Sequence, residues 1–308
     1  MLQLHGAEPK KIVVLSGKGG TGKTSLTAAF AHLASQQPDI RTVLVDGDVD
    51  ASNLELLLRP TPIKAHEFVG GQVAQIDPTL CAGCGICAEV CRYEAIRADR
   101  GIVIDPLACE GCGACATQCR EGAIQLVPEL AGRWFQSETR YGTLFHADLH
   151  AGAENSGKLV SLLRRQAEEY ARCEHVALVL VDGPPGIGCP VIAALTGTDL
   201  AVIVAEPTRS GVQDMGRVLA TVQHFGVPAL VCINKADIYP EGCHLIEAAC
   251  HEQGLPVVAH IPFDTVMIEA MVQGQPLTLY QPDGTLGQIL QRAWAQVLTV
   301  LTGHPESA

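Results

Sequence analysis

Gly17-Lys18-Gly19-Gly20-Thr21-Gly22-Lys23-Thr24 decides the fold. A short apolar run, Lys11–Leu15, leads into it, and a helix-forming run, Lys23–Ala34, leads out. A glycine-rich loop between a buried strand and a helix start reads as a phosphate-binding P-loop. The glycines let backbone N–H groups converge on phosphate oxygens, and the first turn of the helix adds positive potential. In such a loop Lys23 is expected to reach the β- and γ-phosphates and the Thr24 hydroxyl to ligate Mg²⁺, with Ser25 beside it.

Outward from the loop, apolar strands alternate with helices. Thr42–Asp46 reads as a strand and Ser52–Leu58 as a short helix. Further on, strands are expected at Val176–Asp182, Leu200–Ala205, Ala229–Asn234 and Pro256–His260. Helices are expected at Leu159–Tyr170, Val191–Thr196, Val212–Phe225, Cys243–Glu252 and Val266–Gln273. Continuous apolar strands alternating with helices imply an α/β fold with a mostly parallel sheet covered on both faces. A cysteine-dense stretch interrupts the pattern, which suggests an insertion at 75–128 between two parts of one nucleotide-binding domain, 1–74 and 129–308. Glu129–Ala151 is mixed and aromatic and reads as a hairpin.

Acidic residues close three of the apolar strands. Asp46, Asp48 and Asp50 end the second one, where carboxylates can hold Mg²⁺ through water and orient an attacking water; Asp50 can equally cap a helix. Val179-Leu-Val-Asp182-Gly-Pro-Pro-Gly186 reads as a Walker B strand with its switch. Asp182 would bind the Mg²⁺ water shell and the Gly186 N–H would sense the γ-phosphate. Asn234-Lys235-Ala-Asp237 follows another strand and is expected to read the base, and this tetrapeptide leaves ATP and GTP both open.

The interruption is a duplication. The segment beginning Cys81-Ala-Gly-Cys84-Gly-Ile-Cys87 and ending at Ile96 lines up, 28 positions on, with the one beginning at Cys109. Each copy carries C-x2-C-x2-C-x3-C, with Gly, Arg and Ala-Ile repeated as well. Thiolates at this spacing grip three irons of one cubane while the fourth cysteine reaches the other cluster. Cys81, Cys84, Cys87 and Cys119 are therefore expected to hold one [4Fe-4S] cluster, and Cys91, Cys109, Cys112 and Cys115 its mate. Paired C-x2-C knuckles also build zinc sites, but zinc needs only four ligands and gives no reason for the doubled order. The spacing resembles bacterial two-cluster ferredoxins, with one departure: Arg92 and Arg120 stand where those carry proline. Cations there would favour the reduced state and raise the potential. Cys232, Cys243 and Cys250 read as small core residues.

Charge and composition exclude several classes. A formal charge of −12 over 308 residues argues against a nucleic-acid partner. The apolar runs are far too short to cross a bilayer and the N-terminus has no signal-peptide pattern, so a cytoplasmic protein is expected. Leu286, Ile289, Leu290, Ala293, Trp294, Val297, Leu298 and Leu301 form a helical stripe carrying one cation, Arg292; it reads as core packing, with no stable membrane binding.

Lys18, early in the loop, brings a resemblance to the deviant Walker A ATPases, the MinD, ParA and Mrp type that includes the nitrogenase iron protein. The resemblance implies that Lys18 reaches the nucleotide of a partner subunit in an ATP-dependent homodimer or paralogue heterodimer. It further implies that Asp48 positions the attacking water, that Asp46 supports the metal, and that the nucleotide is ATP. Asp182-Gly-Pro-Pro-Gly-Ile-Gly-Cys-Pro-Val-Ile, Glu154-Asn-Ser-Gly-Lys-Leu-Val and Glu206-Pro-Thr-Arg-Ser-Gly extend the match to the subgroup with an inserted ferredoxin domain. That subgroup implies ATP-gated redox or metallocluster work on a partner metalloprotein. A cluster carrier or scaffold, and a positioning ATPase, are the alternatives. In the nitrogenase iron protein a cluster-ligating cysteine has the offset that Cys189 has here; Cys189 reads first as a packed cysteine at a helix start, with an approach to a dimer-bridging metal or a partner's cluster as the alternative that the resemblance suggests.

Overall fold

The computed structural model describes residues 8–99, 101–150 and 155–303. In chain order the elements are β1 (Lys10–Ser16), α1 (Lys23–Ser35), β2 (Thr42–Asp46), α2 (Leu54–Leu58), β3 (Thr61–Ile76), α3 (Ile86–Glu89), β4 (Ile96–Arg97), β5 (Val103–Ile104), α4 (Ala114–Gln118), β6 (Ile124–Thr139) and β7 (Gly142–Leu149). There follow α5 (Ser156–Cys173), β8 (Leu178–Pro185), α6 (Cys189–Leu195), β9 (Leu200–Ala205), α7 (Arg209–His224), β10 (Ala229–Asn234), α8 (Pro240–Glu252), β11 (Val257–Ile261), α9 (Val266–Val272), α10 (Leu277–Tyr280) and α11 (Thr285–Thr302).

Nine strands form one sheet in the order β11-β10-β9-β1-β8-β2-β7-β6-β3. The strands from β11 to β7 pair in parallel. β1, β2 and β9 are buried along almost their whole length, as strands covered on both faces must be. The pairing puts the ends of β1, β2 and β8 side by side, with Asp46 opposite Asp182. Loops at the carboxyl ends of such strands form the ligand crevice. The apolar stripe of α11 is core, since Leu290, Ala293, Trp294 and Val297 are buried and Trp294 packs on Phe30. Among the described residues no helix is long and apolar enough to cross a membrane.

The chain divides into two compact units, Met1–Ala65 with Trp134–Asp148 and Ser156–Ala308, and His66–Arg133 with Leu149–Asn155. The cysteine stretch lies within the second. Its duplication is written in the backbone: left-handed conformations at Gly83, Gly85 and Glu94 recur 28 positions later at Gly111, Gly113 and Gly122. Each half has one short helix, α3 or α4, opened by such a glycine, with the third cysteine of the run buried inside it. Ala95 and Ile96 match Ala123 and Ile124, all buried. Gly111 cannot be replaced without movement: φ is +60° and a Cβ would stand 2.0 Å from the Gln72 carbonyl oxygen.

His146 on β7 gives the first unit an acid-sensitive point. Its ring hydrogen bonds Ser137 Oγ at 2.8 Å, stacks on Phe135 and lies 3.4 Å from Glu55. Burial outweighs that exposed carboxylate and lowers the imidazole from 6.5 to about 4. Between those values the unfolded chain takes up a proton that the folded chain refuses, so stability falls as the pH drops through this window. His146→Gln should therefore lose less stability than the unaltered protein between pH 7 and pH 4.5, by about 2–3 kcal/mol. Urea unfolding of both proteins at the two pH values reads the difference, and equal acid losses would refute it.

Candidate functional site

β1 delivers the loop. Gly17 packs against Asp214, and Gly20 and Gly22 take left-handed conformations at φ +74° and +99°. A Cβ on Gly22 would stand 2.4 Å from Asn234 Nδ2, so the turn requires glycine twice over. Beside the loop lies a cleft of about 590 Å³ lined by Gly19, Gly20, Gly22, Lys23, Thr24, Ser25 and Asp48, with Asn234, Lys235 and Phe263 also on its wall. Thr21 Oγ1 is buried without a hydrogen-bond partner among the described residues.

Lys23 is only 4% exposed, and its Nζ lies 3.9 Å from Asp48 Oδ2. The Thr24 hydroxyl donates to Asp182 Oδ2 at 2.6 Å and Thr27 donates to the other oxygen at 3.0 Å. Asp46 accepts from Ser52 Oγ and from the N–H groups of Leu54 and Asp48, so it organises the turn after β2. Burial raises both Asp46 and Asp182, and the Asp182 charge raises Asp46 further. Burial also raises Asp48, against the pull of Lys23. Two buried carboxyls side by side with a threonine hydroxyl are a donor set that a divalent cation would satisfy.

Several expected residues hold contacts within the protein in this arrangement. The Asn234 amide donates to the Thr21 carbonyl at 2.7 Å, bracing the loop, and Asp237 accepts from the Phe263 N–H. The Gly186 N–H donates to Ser16 O at 2.9 Å and would have to release it to meet a phosphate. Lys18 does not line the cleft. It is paired with Glu206 at 2.8 Å and lies 3.4 Å from Thr208 Oγ1. Glu206 also holds Lys235 at 2.9 Å, and despite its burial the two lysines lower its pKa. Glu206 and Thr27 were not legible as site residues, because the contacts that define them bridge 29 to 188 positions of sequence.

In the second unit Cys81, Cys84, Cys87 and Cys119 line one cavity of about 200 Å³, walled by Ile76, Ile86, Ile102 and Ile124, with Arg120 on its rim. The fourth cysteine of the second run thus joins the first three of the first run. Ala74 N–H donates to Cys109 Sγ at 3.4 Å. Cys91, Cys109 and Cys119 pack against the same apolar cluster as Cys87 and Cys115. Burial pushes the Cys87 and Cys115 thiols up; Cys81 and Cys84, and Cys109 and Cys112, push the same way. Four sulfurs around one apolar-walled cavity fit an iron-sulfur cubane. Arg92 does not line this cavity. Cys189 is exposed at the start of α6, whereas Cys232, Cys243 and Cys250 are buried.

Residues 12–277 match the family profile described as the CobQ/CobB/MinD/ParA nucleotide binding domain. An uncharacterized protein of Methanocaldococcus jannaschii is 36% identical over 225 residues, covering 73% of this chain and 78% of its own length. An iron-sulfur cluster carrier protein of Pyrococcus furiosus is 23% identical over 290 residues, covering 88% and 79%. Among solved structures, the septum site-determining protein MinD of Pyrococcus horikoshii, complexed with Mg-ADP, superposes with a TM-score of 0.59 at 19% identity, covering 94% of this chain and 96% of that one. With a glycine loop, paired buried aspartates and a profile match over most of its length, the chain belongs to the CobQ/CobB/MinD/ParA nucleotide-binding domain family.

Proposed function

We propose that this chain is an ATPase of the deviant Walker A type with an inserted ferredoxin-like domain at 75–128, and that the nucleotide state of its dimer governs redox or metallocluster work on a partner protein. One observation carries the reading: a single polypeptide has a P-loop cleft and, in a separate unit, four cysteines from two sequence runs around one cavity.

At the cleft, the loop N–H groups and Lys23 bind the triphosphate, and Asp48, with Lys23 Nζ 3.9 Å away, orients the attacking water. Thr24 and Asp182 would hold Mg²⁺, which supplies neutralisation of phosphate charge when bound. In this reading Lys18 serves the partner's nucleotide across the dimer; it is paired with Glu206 and absent from the lining of its own cleft, which leaves it available for that role. Cys81, Cys84, Cys87 and Cys119 would hold one cluster and Cys91, Cys109, Cys112 and Cys115 the other; bound clusters supply one-electron transfer. The chain's own part is to exclude water with isoleucines and to place Arg120 beside the first site.

A second reading, a cluster carrier, is supported by the likeness to the iron-sulfur cluster carrier protein of Pyrococcus furiosus. Anaerobically prepared protein separates the two. Electron transfer predicts about eight irons and eight sulfides per chain, retained against an apo-acceptor, with reduction potentials that differ between ATP and ADP. Lys23→Ala should abolish the nucleotide effect. Transfer of iron to the acceptor would favour the carrier. Protein free of iron and sulfide, or clusters indifferent to every nucleotide, would end the proposal.

A further inference from the structure

Away from both sites, a third cluster of metal-ligating side chains stands at the edge of the sheet. β11 is the edge strand and pairs with β10, and α8 carries the chain out of β10. Cys243 and Glu247 are four residues apart on α8 and so share one helix face. His260 comes from β11, opposite Ile233 of β10. One ligand atom of each (a thiol sulfur, a carboxylate oxygen and an imidazole nitrogen) lies within 4.8 Å of the other two. His260 Nε2 is 2.7 Å from Glu247 Oε1, and His244 Nδ1 is 3.1 Å from the other oxygen of the same carboxylate.

We propose that Cys243, Glu247 and His260 form a binding site for a borderline divalent transition-metal ion, Zn²⁺ first among them, that fastens α8 to the edge strand β11. Sulfur, nitrogen and one carboxylate oxygen are the donors this class of ion selects, whereas Mg²⁺ and Ca²⁺ take oxygen. Ligand atoms around tetrahedral zinc lie about 3.5 Å apart, so the three donors need only small side-chain rotations. Glu247 would exchange its hydrogen bond to His260 for a shared ion. His244 then stays on the outer carboxylate oxygen, as hydrogen-bonded supports of metal ligands do. The fourth position faces solvent, because Glu247 is half-buried and His260 exposed while Cys243 closes the inner side. Burial, with the Glu247 charge adding to it, holds the Cys243 thiol up, and a bound cation would offset both. On binding, the thiol proton leaves to solvent.

This site is independent of the reading proposed above, and the test keeps the two apart. Full-length protein, its iron content measured and its adventitious metal removed over a chelating resin, is titrated anaerobically with Zn²⁺. Metal per chain is counted after desalting. The unaltered protein should bind about one Zn²⁺ per chain more than Cys243→Ala or His260→Gln, with affinity lowered at least roughly 100-fold in either. His244→Ala should weaken binding about tenfold, as loss of a supporting partner does. Cys250→Ala, a buried cysteine of the same helix outside the trio, should bind as the unaltered protein does. With Co²⁺, the difference spectrum between the unaltered protein and Cys243→Ala should show a thiolate charge-transfer band. His260 is exposed, so His260→Gln keeps the test open if Cys243→Ala fails to fold. Equal Zn²⁺ counts in the unaltered protein and His260→Gln, or Zn²⁺ lost on desalting from all of them alike, would overturn the site.

Discussion

Anaerobically purified Cys81→Ser/Cys119→Ser should carry about four irons per chain, whereas Cys81→Ser/Cys91→Ser should keep neither cluster intact. The contrast follows from which cysteines share a cavity. Cys119 lies at the end of α4, 32 positions beyond Cys87, yet lines the same cavity as Cys81, Cys84 and Cys87. With crossed ligation, the first double variant strips two ligands from one cluster and none from its mate. The second strips one ligand from each. If each run of four closed its own cluster, the outcomes would be reversed. Iron and sulfide analysis, with the spectrum of the dithionite-reduced protein, distinguishes the two. The reversed pattern, or equal iron in both variants, would refute the crossed set.

The parts of this chain that rest on local rules were legible. A strand, a glycine loop and a helix are specified within about 25 residues, and β1, α1, β2, β9 and β10 lie within a residue or two of their expected bounds. Helix starts were less so. α7 begins at Arg209, three residues before its apolar run, because Thr208 caps it by accepting the Gly211 N–H. α5 and α8 likewise begin three residues early, and α8 has a proline in its first turn. β3 gave no strand signal at all: Pro62, Gly70 and Gly71 interrupt it and most of its first half is exposed. The stretch read as a hairpin at 129–151 holds β7 and most of β6, and β6 starts earlier than expected, at Ile124 inside the duplicated segment.

The same divide runs through the candidate site. Motif residues such as Lys23, Thr24 and Asp182 were visible because Lys23 and Thr24 open a helix and Asp182 lies in the carboxyl half of an apolar strand. Their partners were not. Asn234 looked like a base reader from its tetrapeptide, yet its amide is spent on Thr21, 213 positions away. Glu206 appeared only as part of a matching string, and its hold on Lys18 and Lys235 depends on bringing the ends of β9, β10 and β1 together. The trio of Cys243, Glu247 and His260 left only half a trace, an i, i+4 pair whose third member comes from the next strand.

Lys18→Ala and Lys23→Ala should fail in different ways, and the difference tests the dimer. Lys23 is 4% exposed, lines the cleft and faces Asp48, so its removal takes away a phosphate contact that no neighbour can replace. ATP binding itself should then be lost. The Lys18 side chain is 34% exposed, outside the cleft, and paired with Glu206 in its own chain. Lys18→Ala should therefore bind ATP within about threefold of the unaltered protein, while turnover falls on the order of 10³-fold, the effect of removing a charge that acts on a partner's transition state. Glu206→Gln weakens the resting hold on Lys18 and should leave turnover unchanged or raise it a few-fold, since Lys18 has to leave that ion pair to act on a partner's nucleotide. Binding is read by equilibrium titration, and turnover by phosphate release across a range of protein concentrations, where activity in the unaltered protein should rise faster than linearly. Lys18→Ala turning over at the full rate, or activity per chain that ignores concentration, would mean that Lys18 serves only its bond to Glu206.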